Sequence, residues 1–336
     1  MMNKSRDISL DLLRVLSCAM VFGVHLGQHV NIPGVIGAFF ERGATGVSFF
    51  FILSGFLACF SLEDVLKKYE EKKRAILVFW TKRMTKILPL YYCVIAFYYI
   101  FFTTLKRVPL DETGLYWLRY VLFINTWVPA ENEFWVNLGA LWSISCFVLF
   151  YLIAPIYYLL AKKYGLAWIG VVASYGLMKI IDLKNIDNRP LRSLLYFFLG
   201  VLIFRAIKEK KEMSLALVSS FLVLFCFLTG KGVAIIPPLL VTLYILLMQS
   251  LGTERCNNKH VSEVIVFFSS ISYSVYLIHA AVIEVFSAMN VHGETSYAIS
   301  LIVLSVVISM IMHKYIEKTI GNKLLMLLLA KLEGKY

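Results

Sequence analysis

Apolar runs of roughly membrane-spanning length recur along this chain, separated by short charged segments, and that spacing excludes most folds. They fall at about 6–29, 44–62, 87–105, 138–161, 166–182, 191–207, 214–230, 233–250, 263–288 and 296–316. No water reaches backbone N–H and C=O groups inside a bilayer, so a run of about 20 apolar residues must be helical there. Composition agrees: 60% of the 336 residues are hydrophobic and 16% charged, against roughly a quarter charged in a soluble domain. We expect an all-α, polytopic integral membrane protein of about ten transmembrane helices, forming one membrane-embedded domain over 1–336. A shorter apolar piece near 113–127 contains Arg119 and reads as re-entrant or interfacial. Pro237-Pro238 predicts a kink or break in the eighth run. The first run holds Asp11 and Arg14 and no small-residue cleavage site follows it, so we expect it to be retained rather than removed as a signal peptide.

Charge orients the bundle. With the N-terminus inside and 113–127 not spanning, 23 of the 33 Lys and Arg residues fall in inside segments and 9 outside; Arg14, within the first run, is the remaining one. That bias satisfies the positive-inside rule and places both termini in the cytoplasm. The formal net charge of +12 therefore reflects topogenic loops facing membrane lipids, and no nucleic-acid partner is expected. The six cysteines (18, 59, 93, 146, 226 and 256) show no CxxC or CxxH spacing and read as small apolar fillers, with no metal expected.

The first run carries the most informative polar residues. Asp11, Arg14, Cys18, His25 and His29 recur at intervals that place them along one stripe of a helix. Arg14 and His25 are then roughly 16 Å apart, about half a bilayer core. Ionisable groups at such depth are costly and face a bundle interior or a wet cavity. A snorkelling Arg14 and a packing His25 are the plain alternatives.

Several segments resemble acyltransferase family 3, integral-membrane proteins that O-acylate polysaccharides, peptidoglycan and small molecules. An Arg-x10-His pair is formed by Arg14 and His25, within the leader Leu10-Asp11-Leu12-Leu13-Arg14. An FFxLSGF run is matched by Phe50-Phe51-Ile52-Leu53-Ser54-Gly55-Phe56, and a basic element by Lys82-Arg83…Lys86-Ile87-Leu88-Pro89-Leu90-Tyr91. A late element is matched by Ile271-Ser272-Tyr273-Ser274-Val275-Tyr276-Leu277-Ile278-His279, followed by Tyr315-Ile316-Glu317-Lys318. The motifs keep family order over nearly the whole chain. Three departures stand out: Phe147 and its neighbours after Trp142-Ser143 include no carboxylate, Lys86 replaces the usual arginine, and Thr319 a proline.

The resemblance implies a membrane O-acyltransferase, most simply an O-acetyltransferase, using cytoplasmic acetyl-CoA or another acyl-CoA as donor. The acceptor would be a hydroxyl of a cell-surface polysaccharide or lipid-linked sugar at a bacterial plasma membrane, and a stand-alone enzyme is expected. His25 is the expected general base, since acyl transfer to a hydroxyl needs a group to take its proton. Arg14, with Asp11 as partner, together with Lys82, Arg83 and Lys86 suits the phosphates of coenzyme A. Ser54, Tyr276 and His279 are candidate lining residues, and Ser54 is equally readable as helix packing beside Gly55. Glu284 and Glu317 read as partners for basic residues. Trp127, Trp135 and Trp142 could stack on an acceptor sugar across 106–138, or form an interfacial belt. The competing class is a polysaccharide or solute transporter or flippase, in which the same polar residues line a path without acyl transfer.

Overall fold

A computed structural model describes residues 7–105, 116–126, 138, 140–182, 189–251, 259–289 and 295–333. Among these the regular structure is entirely helical. The helices are α1 (Ile8–Gly27), α2 (Gly34–Glu41), α3 (Thr45–Lys68), α4 (Lys72–Ile100), α5 (Tyr116–Val121), α6 (Leu141–Leu160), α7 (Tyr164–Asp182), α8 (Arg189–Lys208), α9 (Glu212–Thr229), α10 (Ile236–Leu251), α11 (Lys259–Ala288), α12 (Thr295–Met312) and α13 (Asn322–Leu332). Ten helical spans among the described residues are long and apolar enough to cross a membrane. Outward faces of α9 and α12 expose rows of Leu, Ile, Val and Phe, as lipid-facing surfaces should.

Several helices begin or end where the local sequence dictates. Asp7 caps α1, its carboxylate accepting from the N–H groups of Ser9 (3.0 Å) and Leu10 (3.3 Å). The α1 helix ends at Gly27, so His29 lies beyond it in a turn and off the stripe predicted for it. The basic stretch 67–86, expected to connect two spans, is mostly helical, because α4 starts at Lys72. Straight-chain lysines and arginines favour helix, and this end of α4 is long enough to project past a bilayer core. Pro237 and Pro238 do not break a span. They sit in the first turn of α10, after a 3-10 turn over Val233–Ile235, where a missing N–H costs nothing.

Helix α5 has six residues, about 9 Å of rise, and cannot cross. It is docked at the flank of α4: Tyr91 Oη donates to the Tyr120 carbonyl (2.8 Å) and the Tyr91 and Phe123 rings stack at 5.2 Å. Helix direction agrees. Asp11 meets Ser269, Cys18 meets the Ser272 carbonyl, and His25 meets His279, so α1 and α11 run parallel. Parallel first and ninth spans require an odd number of crossings between them, and the seven apolar spans that intervene satisfy this if the α5 segment does not cross.

Helices α3 and α8 cross closely. A Cβ on Gly55 would lie 2.1 Å from the Phe197 carbonyl oxygen, and one on Gly200 2.1 Å from that of Ile52. Small residues let backbones approach this closely where lipid offers no hydrophobic drive for association. From α12 the chain continues as a nine-residue π-helical stretch, His313–Gly321, into α13. Such stretches re-aim side chains and recur at functional sites.

Candidate functional site

One face of α1 and one face of α11 form a continuous polar seam. Arg14 Nη1 donates to Asp11 Oδ1 (3.0 Å) and to Ser269 Oγ (3.0 Å), while Ser269 Oγ donates to Asp11 Oδ1 (2.5 Å). Asp11 is buried and the Arg14 side chain a quarter exposed, at 27%. Cys18 Sγ donates to the Ser272 carbonyl (3.4 Å). Farther along, the His25 and His279 rings lie 5.2 Å apart, with Phe22 edge-on to His279 at 5.4 Å. His25 is half-buried and His279 fully buried. His279 Nδ1 is 2.9 Å from the Val275 carbonyl, which only accepts, so Nδ1 carries the hydrogen. Its Nε2 is then a buried acceptor with no hydrogen-bond partner among the described residues.

A cavity of about 590 Å³ opens beside the Arg14 end of this seam, within the range of small-molecule sites. Its lining combines charged groups, the cations Arg14, Arg83, Lys86 and Lys318 beside Asp7, Asp11 and Glu317, with apolar ones, among them Phe50, Ile144, Phe147 and Tyr276. Arg83 is held in place: Nη2 donates to the Leu57 carbonyl (3.0 Å) and its guanidinium lies over the Tyr151 ring at 5.3 Å. The π-helical stretch turns Glu317 inward, where it accepts from Ser274 Oγ and lies 3.2 Å from His313 Nδ1.

Among the residues singled out in the sequence, Asp11, Arg14, Ser54, Arg83, Lys86 and Tyr276 line this one cavity. Ser54 faces it while its neighbour Gly55 makes the helix crossing, so the two readings of that motif belong to adjacent residues. His25 and His279 are brought together, one helical turn beyond the cavity's inner end at Tyr276 rather than on its wall. Lys82 is exposed on α4 and does not line the cavity. Trp142 lies apart from it, half-buried against Phe51, with the Arg189 guanidinium 5.3 Å over its ring. Trp127 and Trp135 lie outside the described residues. Among the described residues no group of three or more His, Cys, Asp or Glu side chains is placed to hold a metal ion.

Sequence reasoning passed over Ser269 and His313, and gave the motif residues Phe50, Phe147 and Tyr151 no place on the cavity wall. A signal for the first was present. Ser269, Ser272, Tyr276 and His279 repeat at three- and four-residue steps on an apolar helix, the pattern that singled out α1.

Comparison with known proteins bears on this arrangement. A family model described as an acyltransferase domain matches residues 7–314. The O-acetyltransferase OatA of Staphylococcus aureus is 25% identical over 339 residues, covering 88% of this chain and 54% of OatA. The acyltransferase MdmB of Streptomyces mycarofaciens is 28% identical over 163 residues, covering 46% of this chain and 40% of MdmB. The chain spans about half the length, or less, of these relatives. No solved structure matches.

Proposed function

The chain belongs to acyltransferase family 3, and from that premise we propose that it moves an acyl group, most simply acetyl, from coenzyme A to a hydroxyl. The observation that supports the donor is that one cavity is lined both by four cations, Arg14, Arg83, Lys86 and Lys318, beside the carboxylates of Asp7, Asp11 and Glu317, and by apolar side chains. Coenzyme A joins the same two characters, a phosphate-rich head and an uncharged arm ending in the thioester. Arg14, Lys86 and Lys318 would bind the phosphates, Arg14 through its planar fork. The charge bias of the loops orients this end of the bundle toward the cytoplasm, where acyl-CoA is made.

His25 is the base in this reading. The acceptor oxygen attacks the thioester carbonyl carbon; a C–O bond forms and the C–S bond breaks. The hydroxyl proton passes to an imidazole nitrogen of His25, and coenzyme A leaves as a thiolate that is then protonated. What supports His25 over other candidates is its half-buried place at the end of the polar seam far from Arg14, where part of the ring remains accessible. A glycan or lipid-linked sugar at the bacterial plasma membrane is the acceptor class we propose, on the likeness to OatA.

Purified protein in nanodiscs, given radiolabelled acetyl-CoA and a cell-envelope preparation, tests this directly. Label should enter a product that mild base releases, as expected of an ester. Retention of all label on coenzyme A across envelope preparations, by protein that is folded, would contradict the function.

A further inference from the structure

Phe50, Ile144 and Tyr276 border the inner end of the cavity, and Tyr276 is held from behind. Phe50, Ile144 and Tyr276 are the residues that α3, α6 and α11 contribute nearest the histidine pair. Tyr276 is buried, with its ring edge-on to Phe50 at 5.5 Å on the cavity side. On its other side the His279 ring lies 6.3 Å away, and His25 is next to it. The phenol oxygen is 2.7 Å from Ser143 Oγ. Ser143 spends its one hydrogen on the Ala140 carbonyl (2.8 Å), so Tyr276 donates to Ser143. That bond holds the ring at the end of the cavity, and swinging it aside leaves the Tyr276 hydroxyl without its acceptor, while Ser143 keeps its bond to the Ala140 carbonyl.

We propose that Tyr276 selects the donor by the length of its acyl chain. This rests on the cavity being the acyl-CoA site. With the phosphates at the cations, the thioester end points toward Tyr276, and each further methylene meets its ring. A rigid wall of this kind discriminates by about tenfold or more per methylene. Removing the ring lengthens the cavity by the volume the ring occupied, toward His279, and gives a longer chain room to lie.

The test measures kcat/KM for acetyl-, butyryl- and hexanoyl-CoA in the wild type, Tyr276→Ala and Tyr276→Phe. The wild type should prefer acetyl-CoA over butyryl-CoA by about a hundredfold. Tyr276→Ala should raise the butyryl-to-acetyl ratio at least tenfold, while Tyr276→Phe, which keeps the ring, should change it less than threefold. If Tyr276→Ala does not fold, Phe50→Ala thins the same wall from another helix and should shift the ratio in the same direction. Acyl transfer with a ratio unmoved in the folded alanine variant overturns the selector and leaves the function standing. A wild type that turns over no acyl-CoA overturns both.

Discussion

An aspartate and an arginine one turn apart in a membrane helix shield each other, and here Ser269 of a second helix completes the group. Asp11 has its charge met from two sides, while Arg14 keeps a quarter of its side chain open to the cavity. That division of labour gives a residue-scale prediction. Arg14→Lys retains the charge and loses the fork, so KM for acyl-CoA should rise by about tenfold, with kcat changed little. Steady-state kinetics across donor concentrations check it, and a fall in kcat with KM unchanged would move Arg14 from binding to chemistry. Ser269→Ala leaves Asp11 short of one donor and should cost about 1–3 kcal/mol, read as a lower Tm in detergent. The seam on α1 was readable in the sequence because its members repeat at helical spacing. His29 was misplaced by the same logic, since Gly27 ends the helix two residues earlier.

At the scale of elements, contact between α3 and α8 depends on two residues without side chains. Gly55→Ala would drive a methyl into the Phe197 carbonyl and should cost about 1–3 kcal/mol, as overpacking does. Gly176→Ala on α7 meets nothing within 4 Å and should be neutral or slightly stabilising, by less than about 1 kcal/mol. Thermal unfolding of the two variants side by side separates packing from a general intolerance of alanine. Elements also mark where sequence reasoning stopped. Long apolar runs read correctly as long apolar helices, since bilayer thickness sets the length expected of them. The π-helical stretch over His313–Gly321 did not, because its backbone register depends on what it packs against. It is that register which brings Glu317 and Lys318 to the cavity. The cavity is likewise a product of helices far apart in sequence, and only its individual wall residues could be named beforehand.

For the whole molecule, parallel α1 and α11 and the loop charges imply one arrangement across the membrane. Single cysteines introduced at Glu70 and Glu212 in a background lacking the native ones should label with an impermeant maleimide only after the cells are opened. One at Arg42 should label in intact cells, and the reverse pattern would invert the bundle. In the function we propose, the two ends of the polar seam have different tasks: Arg14 would hold the donor and His25 would take the proton of the acceptor. The measurement that tests this claim most directly is acetyl-CoA binding and acetyl transfer, measured together on purified wild type, Arg14→Ala and His25→Ala. The account predicts that His25→Ala binds acetyl-CoA as the wild type does and transfers less than about a hundredth as fast, within the range that general-base removal costs. Arg14→Ala should bind at least tenfold more weakly. Transfer surviving in His25→Ala would contradict the account and turn attention to the buried Nε2 of His279.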